Sequence, residues 1–105
     1  MAKRKNENQW TVTFSNRASK ERKKMPPKIQ VLVDFLAQEI EKAGPRRSNW
    51  QNYGPLKKTG NIPEGAFHCH LKKGKPTYVS CWWTVDKKNK HVEIFYVGTH
   101  EKAPY

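Results

Sequence analysis

Long apolar runs are missing from this chain. No stretch reaches the about 20 consecutive apolar residues of a membrane-spanning helix. The opening MAKRKNENQW passes from basic to polar residues without the apolar centre of a secretion signal. Cysteine is scarce: Cys69 and Cys81 stand alone, too few for a disulfide framework, and both are expected to be reduced thiols in a cytoplasmic protein. Acidic residues are also few, 9 Asp and Glu against 21 Lys and Arg, which leaves a formal net charge of +12. There is no Walker loop, GxGxxG, nucleophile elbow, HExxH or zinc-finger spacing, so nucleotide hydrolysis and covalent catalysis lose their usual signatures.

What is present bounds the answer from the other side. A length of 105 residues suits a single domain over 1–105, with 1–8 a flexible basic start. Four Trp, four Tyr and four Phe supply bulky core material, which argues against disorder from end to end. The charge favours a polyanionic partner, nucleic acid first and acidic protein segments next. A membrane surface fits less well, because the basic residues also sit in turns rather than on one amphipathic helix face.

Trp10, Val12 and Phe14 alternate with polar residues, the pattern of a half-buried strand. Ser15 is placed to cap a short basic helix running to Lys24, and Pro26-Pro27 must end it. Ile29, Leu32, Leu36 and Ile40 then recur at helical spacing until Gly44-Pro45, so the two helices are expected to form an αα-hairpin. Arg46 to Ala66 is broken by Gly54-Pro55, Gly60 and Pro63 and is expected to be one long loop. Its Arg46, Arg47, Lys57 and Lys58 are candidate phosphate ligands; Trp50 and Tyr53 either stack on bases or pin the loop to the core. Phe67–Leu71, Tyr78–Val85 and Val92–Val97 read as strands joined by short turns, hence antiparallel. The expected class is therefore α+β: an N-terminal strand, a helix pair and a three-stranded antiparallel meander completing a small sheet.

In Phe67-His68-Cys69-His70-Leu71 the two-residue period sends Phe67, Cys69 and Leu71 to the core and both histidines to the opposite face. Two adjacent imidazoles are able to move protons near neutral pH; a surface pair without a task is the competing reading. A zinc site built on HCH fails on the same geometry, because Cys69 points away from its neighbours. No metal and no cofactor are expected. His100 follows the last strand, and Tyr105 is placed either in a loose tail or folded back as a stacking ring. Lys72, Lys73 and Lys75 flank the histidine strand and suit a phosphate backbone, whereas Lys87, Lys88 and Lys90 read as a solvated turn. Metal-free RNA cleavage asks least of such a set: a proton acceptor for the 2′-hydroxyl, a cation for the phosphorane and a proton donor for the leaving oxygen.

The element order, with AFHCHLKKGKPTYVSCWWTVDKKNKHVEIFYVGTHEKAPY from Ala66 to Tyr105, resembles the RelE/ParE-type toxins of bacterial toxin-antitoxin pairs. The likeness is most specific in the HxHL strand, the following hairpin and the final VGxH. The RelE branch implies a toxin that enters the ribosomal A site and cleaves mRNA by metal-free 2′-hydroxyl attack, stopping translation. It further implies a cognate acidic antitoxin, and catalytic roles for His68, His70, His100 and Tyr105. One position departs from the pattern: where nucleolytic members carry a third-strand arginine, this chain has Ser80 or Tyr78, so Lys73 or Lys75 would have to supply the cation. The ParE branch shares the fold but acts on DNA gyrase, and a non-catalytic RNA- or DNA-binding module using Trp50, Tyr53 and Tyr105 is a further alternative.

Overall fold

The structure is a computed structural model that describes residues 9–105; the basic start 1–8 lies outside the described residues. Strand β1 (Thr11–Phe14) leads into helix α1 (Asn16–Lys24) and helix α2 (Pro27–Ala43), followed by β2 (Gly54–Leu56), β3 (Ala66–Lys72), β4 (Tyr78–Asp86) and β5 (His91–Thr99). A 3-10 turn, His100–Lys102, follows β5 directly. The five strands form one sheet in the order β1-β5-β4-β3-β2. All neighbours are antiparallel except β1, which runs parallel to β5.

The helix boundaries follow local chemistry. The Ser15 hydroxyl accepts from the Ala18 N–H at 3.1 Å and so satisfies one orphan donor of α1. Pro27 opens α2, where a missing N–H costs nothing, and Gly44 closes it at φ 93, a conformation that favours glycine. Its Cβ position would also lie 3.2 Å from the Trp10 Nε1, so the site has two reasons to be glycine. Ile29, Val33, Leu36, Ala37 and Ile40 form the buried stripe of α2, and Leu32 is only partly covered. The helices are tied by a bidentate Arg22–Asp34 pair at 2.8 and 2.6 Å.

The sheet separates two apolar layers. Cys69, Leu71, Trp82, Val92, Ile94 and Val97 meet the helices, while Val79, Cys81 and Tyr96 form a smaller layer on the other face. A register shift between Cys81 and Trp82 against Tyr96 and Ile94 inserts Phe95 as a bulge, which lets Ile94 and Tyr96, two residues apart, take opposite layers. Beyond Phe14, α1 takes over the edge that β1 leaves open. Glu21 on α1 accepts the Val97 N–H at 3.2 Å, occupying a strand edge that would otherwise be unpaired.

The expected long loop is corrected in part. Gly54–Leu56 pairs antiparallel with Ala66–His68 and adds a fifth strand. Pro55 fits there because β2 is an edge strand with no neighbour beyond it, so the absent N–H breaks no ladder. The observed β3, β4 and β5 also extend one or two residues past the expected limits, where pairing continues into the turns. No helix of the described residues is long and apolar enough to cross a membrane.

Candidate functional site

The face away from the helices gathers the histidines. His68 and His70 pair with Cys81 and Val79 across β3 and β4, so their side chains stand over an apolar floor. The 3-10 turn after β5 brings His100 beside His70, with ring centroids 5.7 Å apart and nearly perpendicular. Tyr105 folds back: its ring lies 4.7 Å from His68 and 5.8 Å from His100. Ala103, packed on the smaller apolar layer, is the contact that turns the chain inward. The four residues named from sequence thus form one cluster.

Their environments differ. His68 is half-buried under Tyr105, and its Nδ1 is buried without a hydrogen-bond partner among the described residues. Burial first, then the charges of His70 and His100, hold its imidazole below the ordinary value of 6.5. His70 is lowered for the same first reason, with His100 and Lys73 adding repulsion. A neutral His70 at neutral pH is the protonation state a general base needs. Partial burial pushes the Tyr105 phenol up to about 12, so it stays protonated.

Sequence reading missed Asn52. Its Nδ2 lies 3.2 Å from His70 Nε2, and the Gln51 carbonyl accepts the His70 N–H at 2.8 Å. Asn52 takes φ 56, a left-handed conformation that Asn tolerates better than most residues. The segment before it is anchored by Glu39, whose Oε1 accepts from Arg47, Asn49 and Trp50 at 3.3, 2.9 and 3.0 Å. Tyr53 then stacks on Phe67 at 5.5 Å. The only sequence signal was an Asn in a turn-rich stretch 18 positions from its partner, which no spacing rule detects.

An open cleft of about 670 Å³ is lined by His70, His100, Lys75, Thr77 and Glu101 together with Gly74 and Pro76. Lys75 is thus the lysine that lines the histidines' cleft, while the charge of Lys73 reaches His70. Ser80 is buried on the helix side with its hydroxyl bonded to the Tyr96 carbonyl, and Tyr78 packs on the helix-side core, so neither faces the histidine cluster. Lys57 and Lys58 are exposed beyond β2.

Two candidate phosphate ligands are displaced from the site. Arg47 is turned inward to the partly buried Glu39 carboxylate, with little of its own side chain exposed. Arg46 lines a different cleft with Trp10, Phe67 and Lys87. Trp50 and Tyr53 pin the 46–53 segment to the core through Glu39, Phe35, Phe67 and Trp82. Of the three rings offered for base stacking, only Tyr105 remains exposed, at 41%. Cys69 lies on the helix side, away from both histidines, and its buried thiol is raised to about 12.

A small basic α+β domain with a histidine-lined cleft on the open sheet face has clear structural relatives. The YoeB dimer from Staphylococcus aureus matches with TM-score 0.65 and 19% identity, covering 88% of this chain and 98% of that one. A mutant of the E. coli toxin RelE in the free state matches at TM-score 0.63 and 17% identity, over 89% and 85% of the two chains. The RelBE2 toxin-antitoxin complex from Mycobacterium tuberculosis contains a chain matching at 0.62 and 22% identity, over 92% and 98%. The chain therefore has the fold of RelE-type toxins. No protein-family model and no curated protein sequence matches it.

Proposed function

We propose that this chain is the toxin of a toxin-antitoxin pair and acts as a ribosome-dependent mRNA endoribonuclease in the cytoplasm, neutralised by an acidic antitoxin. The observation that carries the reading is the convergence of His70, His100 and Lys75 on one open cleft, with Tyr105 against His100, on a RelE-type fold.

The chemistry follows from the geometry. Neutral His70 accepts the proton of a 2′-hydroxyl as that oxygen attacks the adjacent phosphorus. Lys75 offsets the charge that develops on the phosphorane oxygens. His100 serves as the proton donor to the departing 5′-oxygen, leaving a 2′,3′-cyclic phosphate and a 5′-hydroxyl. Tyr105, whose ring is exposed beside His100, stacks on a base or orients the substrate. His68, covered by Tyr105, shapes the floor beside His70. Lys57, Lys58, Lys72 and Lys73 bind flanking phosphates.

Induced expression of the chain and of His70→Ala in bacterial cells tests the reading, with growth and mRNA integrity followed and the soluble fold of each checked by circular dichroism. Growth arrest with mRNA loss from the parent, and neither from a folded His70→Ala, supports the nuclease. Arrest with intact mRNA points instead to gyrase inhibition or plain nucleic-acid binding.

A further inference from the structure

Beside the histidine cleft lies a second one of about 630 Å³, between the β3–β4 turn and the start of α2. We propose that it is a second nucleotide subsite, holding the strand of substrate RNA next to the cleaved bond; this rests on the nuclease reading above.

Three observations support it. Four lysines line the cleft, Lys28 from α2 and Lys72, Lys73 and Lys75 from the turn, and among the described residues no carboxylate does, whereas Glu101 stands in the first cleft. Four ammonium groups in a cleft with no described carboxylate in its lining suit consecutive phosphates rather than a neutral ligand. The walls between them are apolar: Pro26 and Pro27 on one side and the half-buried Tyr78 ring on the other, a slot suited to the flat face of a base. Gly74, Lys75 and Pro76 line both clefts, so the turn is the ridge over which one strand reaches from the histidines to the second cleft. The volume lies within the about 300–1,000 Å³ of small-ligand sites.

The test is fluorescence anisotropy with labelled, non-cleavable 2′-O-methyl RNA of three and of nine nucleotides. It uses the full chain, Lys28→Glu, His70→Ala, and Lys88→Glu as an equal charge change in the β4–β5 turn. Lys28 is exposed on the first turn of α2, so its substitution leaves the core untouched. The subsite requires that Lys28→Glu weaken the nine-mer at least fivefold, leave the three-mer within twofold, and reduce the salt slope by about 0.7. Lys88→Glu should then change neither. Tyr78→Leu, which keeps bulk but removes the ring face, should weaken the nine-mer in the same selective way. Equal losses for Lys28→Glu and Lys88→Glu, or equal losses for both lengths, overturn the subsite and leave the nuclease reading intact. Failure of the parent chain to bind the nine-mer also overturns the subsite, whereas the nuclease reading, which requires the ribosome, falls only if mRNA stays intact in the expression test above.

Discussion

The Tyr105 ring sits 4.7 Å from the His68 imidazole, tilted by 40°, and accounts for much of what sets His68 apart from its neighbour two residues on. His70 keeps a polar partner in Asn52, while His68 has an unpartnered buried Nδ1 beneath an aromatic cover. Tyr105→Ala should therefore raise the His68 pKa toward 6.5, because the main cause of its depression is burial. An NMR titration of the imidazole protons reads this directly, and an unmoved His68 would show that Tyr105 is not its cover.

Position 52 is placed to tune the protonation of His70 when it carries a charge. Asn52→Asp places a carboxylate where an amide now lies 3.2 Å from Nε2, which should raise the His70 pKa and move the acid limb of any His70-dependent activity to higher pH. Asn52→Ala adds no charge and should leave that limb within a few tenths of a pH unit. The pH profile of mRNA cleavage separates the two variants.

Stability should depend on pH through the same histidines. Both are depressed in the fold, so on acidification the unfolded chain takes up protons near 6.5 before the folded chain does. The fold is thus penalised progressively below about 6.5 and unpenalised above it. Urea midpoints at about pH 5 and about pH 7.5 should show the chain weaker in acid, and the gap should narrow in a His68→Gln/His70→Gln double variant.

Gly98 should resist substitution for a steric reason. An added Cβ would lie 2.7 Å from the Tyr96 hydroxyl, which is held by a 2.7 Å bond to the Thr99 carbonyl. Gly98→Ala is expected to cost about 1–3 kcal/mol through overpacking. Combined with Tyr96→Phe, which removes the clashing oxygen, the loss should be less than the sum of the two single losses. Chemical denaturation of the four chains measures it.

Local chemistry explains which parts of this molecule are legible from sequence. Ser15, Pro27 and Gly44 carry their structural roles in their own side chains or φ preferences, and the strand period alone puts His68 and His70 on one face. His100 and Tyr105 join them through a short turn whose direction depends on Ala103 finding an apolar layer, which becomes visible only once the sheet exists. Pro55 reads as a breaker because its edge position is a property of the assembled sheet. Arg47 reads as a free cation because Glu39 is eight residues away on a helix face that sequence spacing alone does not direct toward it. The resemblance to RelE-type toxins anticipates the fold, whereas the Asn52 contact depends on how the 46–53 segment seats against β3.

The nuclease reading is tested most directly by adding purified protein to a defined translating ribosome complex and mapping mRNA 5′ ends by primer extension, with naked RNA and His70→Ala alongside. New ends within the A-site codon, dependent on ribosomes and absent with the folded His70→Ala, are the expected result. Intact mRNA, or cleavage undiminished in His70→Ala, would contradict the account.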